Sequence, residues 1–87
     1  MDDTERVWLV EREYSDKGLV TLVYATPDGE RAVTKQRSAQ MLTRTDVTAA
    51  EDVESASLDA VEDEDLRERY AMEASRMAEG HDPDDAV

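Results

Sequence analysis

The side chains able to do chemistry in this chain are few in kind: one histidine, no cysteine, five serines, and 23 carboxylates set against ten basic residues. His81 lies among Asp82, Asp84 and Asp85, and imidazole with carboxylates is a donor set that divalent metals accept. These four residues fall beyond a helix stop in a polar stretch, so they read as a solvated tail, and neither a metal nor histidine-based acid–base catalysis is expected. The serines occur without a Gly-x-Ser-x-Gly elbow. Gly18, Gly29 and Gly80, the only glycines, stand where turns or a helix end need them and make no phosphate-cradling loop. Glu11 and Glu13 share a strand parity, but with so many carboxylates a close pair carries little information. Glu62-Asp63-Glu64-Asp65 lacks the alternating ligands and central glycine of a calcium loop and reads as a hydrated helix start. No catalytic residue, cofactor or enzymatic activity is expected.

Basic residues carry more pattern. Residues 31–45 hold Arg31, Lys35, Arg37 and Arg44 and no acid. Arg31, Lys35 and Arg37 share a parity and would form a stripe on one face of a strand. With Trp8, Tyr14 or Tyr24 as stacking partners, such a stripe suits a nucleic-acid surface. The plainer reading is that these cations answer the protein's own acidic helix or guard a sheet edge.

The elements that must position these residues follow from hydrophobic period. Residues 5–14 place Val7 and Leu9 on one parity and Trp8, Val10 and Tyr14 on the other, a strand with two partly apolar faces. Ser15-Asp16-Lys17-Gly18 is a turn, and Leu19 to Ala25 is a β-rich apolar run suited to a central strand. In Thr26-Pro27-Asp28-Gly29-Glu30 proline occupies the first corner and glycine the left-handed position, before a wetter third strand from Arg31 to Arg37. Thr45, Val47, Ala49 and Val53 fall on one parity and predict a short fourth strand over 45–53. Ser55 to Val61 reads as a loop or one helical turn with Leu58 and Val61 turned inward.

From Asp63 the period becomes helical, with a stripe of Leu66, Tyr70, Ala74 and Met77. Asp63 is the expected N-cap, Glu64 and Asp65 suit the helix dipole, and Gly80 is the expected C′ stop. Asp65 with Arg69, and Arg69 with Glu73, are the expected surface pairs. The fold class is therefore α+β: an antiparallel three- to four-stranded meander followed by one C-terminal amphipathic helix. Residues 1–80 form the domain and 81–87 a polar tail.

The net charge of −13 is unevenly placed. Residues 1–44 hold 7 basic and 8 acidic residues, whereas residues 45–87 hold 3 and 15. Only Lys17 and Lys35 are lysines. In multimolar salt the Debye length falls to about 3 Å or less, so such a surface no longer repels itself. The composition predicts a salt-adapted protein. No apolar run approaches the roughly 18 residues of a membrane span and the acidic N-terminus is unlike an export signal, so a cytoplasmic location with no membrane role is expected. The 39% apolar content, gathered into strand patterns, speaks against a disordered chain.

Through Val7-Trp8-Leu9-Val10-Glu11-Arg12, Val23-Tyr24-Ala25-Thr26-Pro27-Asp28-Gly29 and Arg67-Glu68-Arg69-Tyr70, the chain resembles short acidic haloarchaeal proteins of unknown function. The resemblance implies a halophilic origin and attaches no activity, cofactor or functional residue.

The second strand is apolar on both parities, and one helix covers one face. The other face must be covered by residues 38–61 or by a second subunit, which predicts a homodimer. The expected function is a non-enzymatic interaction module, homodimeric or bound to an unknown protein partner. The alternative is a nucleic-acid-binding or regulatory accessory module working through Arg31, Lys35, Arg37 and Arg44 with Trp8 and Tyr24.

Overall fold

A computed structural model describes residues 3–38, 40 and 47–87. Strands β1 (Thr4–Tyr14), β2 (Leu19–Ala25) and β3 (Arg31–Ser38) form the antiparallel meander that the alternation predicts. The strand β4 (Ala50–Glu54) pairs antiparallel with β1, and the two-residue β5 (Asp59–Ala60) pairs with β3. The sheet order is β4-β1-β2-β3-β5, so the chain crosses from one edge of the meander to the other before returning. The helix α1 (Glu64–Gly80) follows.

Each turn is made by the glycine that the sequence places in it. Gly18 and Gly29 have φ of 75° and 72°, the left-handed region where a side chain is costly. Gly29 donates to the Thr26 carbonyl at 2.8 Å and Thr26 to the Arg31 carbonyl at 2.9 Å, closing the β2–β3 turn. Inside it, Thr26 Oγ1 donates to Asp28 Oδ1 at 2.5 Å, and the Glu30 amide reaches the same oxygen at 3.0 Å. Both hydrogen bonds, the hydroxyl's first, hold the Asp28 carboxyl below its usual value.

The sheet has a core on each side. Against α1 lie Trp8, Val10, Val23, Ala25, Ala49, Ala50 and Val61, meeting Tyr70 and Ala74 from the helix, with Leu66 and Met77 at the margin. Opposite lie Val7, Leu9, Val20, Leu22 and Tyr24, packed by Val33, Val47, Val53 and Leu58 among the described residues. Val7 and Val20 are fully shielded and Tyr24 is 1% exposed within the single chain. The second apolar face is thus covered by this chain itself, and Leu58 and Val61 do turn inward on opposite sides of the sheet.

Four local expectations are corrected. A register shift between Leu9 and Glu11 inserts a bulge at Val10. Arg12 and Tyr14 therefore align with Leu22 and Val20 on the second face, and Tyr14 leaves the side of Trp8 to stand 65% exposed. The fourth strand starts at Ala50 because Ala49 and Ala50 are both buried, which breaks strict alternation; of the expected span, positions 45 and 46 lie outside the described residues. Asp63 does cap α1, accepting from the Leu66 amide at 3.1 Å, but the helix runs through Gly80 and His81 is the C-cap in extended backbone, donating to the Met77 carbonyl at 3.0 Å. Arg69 reaches Glu11 on β1 instead of its helical neighbours, while Arg76 pairs with Glu73 and Arg67 with Glu64.

Residues 81–87, expected to form a polar tail, are docked from residue 83 onward. Ala49 donates to the Asp85 carbonyl, Ala50 to Pro83 and Val87 to Val47, at 2.8, 2.9 and 2.8 Å, and Thr48 bridges Ala86 antiparallel. Residues 83–87 thus run as an added strand outside residues 47–50. Val87, apolar at the end of a polar run, packs against both cores and so holds the segment in place.

Candidate interaction surface

The structure sets the basic stripe on the second face of the sheet, because Lys35 pairs in register with Leu22 and Arg37 with Val20. It does not leave the stripe open. Arg31 is ion-paired with Glu5 and Lys35 with Glu51, carboxylates of β1 and β4, not of the helix. The Lys35 ammonium also lies 5.8 Å from the centroid of the Tyr24 ring. Arg37 Nη1 donates to the carbonyl of Gln36, and Arg44 lies outside the described residues. Trp8 and Tyr24 are core residues and present no ring for stacking. Burial first, and then the charge of Glu51, push the Tyr24 hydroxyl up to about 12 against the opposing pull of Arg12 and Arg37.

His81 Nδ1 stands 3.9 Å from Asp85 Oδ2. That same carboxylate oxygen accepts from the Asp82 amide at 2.8 Å, and the Asp85 amide donates to the Asp82 carbonyl, so Asp85 closes the turn that starts the docked segment. Among the described residues no group of three or more His, Asp or Glu side chains is placed to hold a metal ion. The acids Asp28, Glu30, Glu64 and Glu68 line an open cleft of about 440 Å³ between the β2–β3 turn and α1, shared with Arg67.

The outer edge of β1 has a different character. Beside β4, β1 is paired only from Thr4 to Trp8, and the Leu9 amide is taken by the Ala49 carbonyl at 2.9 Å. Ser15 donates to the Leu19 carbonyl at 2.8 Å. In an antiparallel ladder the bonding direction alternates, so Glu13 and Glu11 also bond toward β2. The N–H and C=O groups of Arg12 and Tyr14 consequently point away from the sheet, and no described residue pairs with them.

Beside this edge lies a groove of about 320 Å³ lined by Leu9, Val10, Glu11, Arg12, Glu73, Met77 and Val87. Its walls come from the bulge, the last turns of α1 and the docked residue Val87. Arg12 Nη2 donates to the Val87 carbonyl at 2.8 Å, while its Nε is buried without a partner. Glu11 lies on the helix side of the sheet, where its charge, after burial, raises the Tyr70 hydroxyl above its usual value. Leu9, Val10, Glu11 and Met77 stand out in the sequence only as strand and helix residues, and nothing there joins them into a groove. The one signal is the change from apolar Val7–Val10 to Glu11-Arg12-Glu13-Tyr14, where β1 outlasts its apolar partners and its edge is polar.

These features define an α+β protein: a five-stranded antiparallel sheet with a helix on one face and, beside the helix, a short stretch of strand edge that no described residue pairs. The chain matches, over residues 1–87, a family described as a family of unknown function (DUF7967), and it belongs to that family. No curated protein and no solved structure matches it. No helix among the described residues is long and apolar enough to cross a membrane.

Proposed function

We propose that this is a non-enzymatic interaction module of a salt-adapted cytoplasm, which binds another protein along the outer edge of β1. The observation that carries this reading is the outward-facing backbone of Arg12 and Tyr14 beside the groove at Val10, Met77 and Val87. An added strand is held through main-chain hydrogen bonds, and a neighbouring pocket selects its side chains. The charge of −13 and the presence of only two lysines support the salt-adapted part of the reading. The homodimer expectation rested on an uncovered second sheet face, and the burial of Val7, Val20 and Tyr24 removes that premise. The nucleic-acid alternative calls for free cations beside exposed rings, and the pairing of Arg31 and Lys35 with carboxylates and the burial of Trp8 and Tyr24 make it the weaker reading.

Site-directed covalent capture tests the module. A photo-crosslinking phenylalanine at position 14 should trap one protein species in cells, whereas the same group at position 68, on the exposed side of α1, should trap none. Equal capture from both positions, or none from either, refutes the reading.

A further inference from the structure

We infer that the segment received by this edge is an extended stretch of a partner protein in which basic residues alternate with apolar ones. The inference rests on the interaction reading above and names the chemistry of the occupant.

The edge of β1 from Val10 to Tyr14, which no described residue of β4 pairs, spans about 17 Å at roughly 3.3 Å per residue, enough for a four- or five-residue strand. Its two sides differ. Toward α1 it presents Glu11 and Glu13, with Glu73 across the groove and the apolar surfaces of Val10, Met77 and Val87 beneath. A lysine or arginine fits there twice over, its stem lying along Val10 and Met77 and its head reaching the carboxylates. Glu13 has no cation partner among the described residues, whereas Glu11 and Glu73 share theirs with the exposed Arg69 and Arg76. Toward the second face the edge presents Arg12, already held by Val87, and the ring of Tyr14 at 65% exposure. Apolar side chains suit that side. Strand geometry sends successive residues to opposite sides, and the required pattern is therefore alternation.

A second copy of this chain fits poorly. In the antiparallel register that centres on Arg12, Arg12 meets its own counterpart and Glu11 meets Glu13. Shifting by one step to pair Arg12 with Tyr14 sets Glu13 against Glu13. Like charges directly opposed destabilise a strand pair. An acidic partner meets the same difficulty against a chain of charge −13.

The probe is an eight-residue peptide alternating lysine with valine, titrated into ¹⁵N-labelled protein in about 0.5 M KCl, where charge still acts over about 4 Å. Shifts are expected at Val10 to Tyr14, Glu73 and Met77, with affinity at least tenfold above that of a glutamate–valine control. Tyr14→Pro should abolish binding while the protein stays folded, since that amide bonds no described residue. Glu13→Lys with Glu73→Lys should weaken binding tenfold or more. Equal affinity for the two peptides, shifts centred elsewhere, or concentration-dependent shifts of the same amides without peptide would overturn the inference. If the peptide fails while capture from position 14 persists, the partner's chemistry is wrong and the module stands. If capture itself is absent, the interaction reading falls.

Discussion

Replacing Gly29 with alanine should be far more damaging than replacing Gly18, although both glycines have nearly the same φ. A left-handed conformation costs a side-chain-bearing residue roughly 1 to 2 kcal/mol, partly offset because alanine also restricts the unfolded chain by about 0.4 to 1 kcal/mol. At Gly18 nothing lies within 4 Å of the added carbon, so the backbone term stands alone, a net loss of about 1 kcal/mol. At Gly29 the added carbon falls well inside van der Waals contact with the Arg67 carbonyl oxygen and 2.7 Å from the Ala71 nitrogen, both helix backbone atoms that cannot rotate aside. The helix must retreat, and overpacking of this kind costs about 1 to 3 kcal/mol more. The expected loss at Gly29 is therefore about 2 to 4 kcal/mol. For a domain of this size each kcal/mol lowers the melting temperature by about 4 to 8 °C. Denaturant unfolding of both variants in the same high-salt buffer measures the difference. Equal destabilisation by the two substitutions would refute the claim that α1 is seated directly on the β2–β3 turn.

Because the Asp28 carboxyl titrates below its usual value, its contribution is present above about pH 4 and lost as pH falls through the folded value. Asp28→Asn keeps the acceptor for Thr26 and Glu30 and should flatten that part of the acid limb, while Asp28→Ala should cost about 1 kcal/mol near neutrality; parallel acid titrations of the two variants check this. The Tyr24 hydroxyl, pushed up to about 12, stays protonated in the fold after it ionises in the unfolded chain. Stability should fall by about 2 to 3 kcal/mol between pH 10 and 12, and Tyr24→Phe should lack that decline. Removing residues 82–87 deletes three backbone hydrogen bonds to residues 47–50 and the Arg12–Val87 bond, an expected loss of about 3 to 4 kcal/mol in urea unfolding. Raising KCl from about 0.1 to 3 M should raise the melting temperature by several degrees as carboxylate repulsion is screened, and a flat or falling trend would count against salt adaptation.

The meander was legible because its signals are local. Two turns carry glycine where positive φ is needed, and the runs between them alternate with period two. The helix was legible for the same reason, with a cap and a four-membered stripe. What escaped depends on residues far apart in sequence. The bulge at Val10 is set by the pairing of Leu9 with Tyr24 and Glu11 with Val23. The partners of Arg31 and Lys35 come from β1 and β4, and nothing in residues 31–45 names Glu5 or Glu51. The last seven residues look solvated by composition, yet backbone bonds and a single Val87 side chain dock five of them, 83–87, and composition does not register either. The edge of β1 is visible only once it is known where β4 stops.

The docking of residues 83–87 also bears on how the molecule comes into being. As the polypeptide leaves the ribosome its three meander strands emerge first, and the side chains that will shelter both faces of the sheet are still to be made. At roughly 5 to 20 residues per second, a nascent sheet exposing Trp8, Leu22 and Tyr24 waits about 2 to 10 s for residues 39–87. The final clasp, Val87 beneath Arg12, joins positions 75 apart in sequence and cannot close before residue 87 has left the ribosome. The acids concentrated after residue 45 arrive during that interval, and the charge they add to each growing chain opposes its sticking to its neighbours.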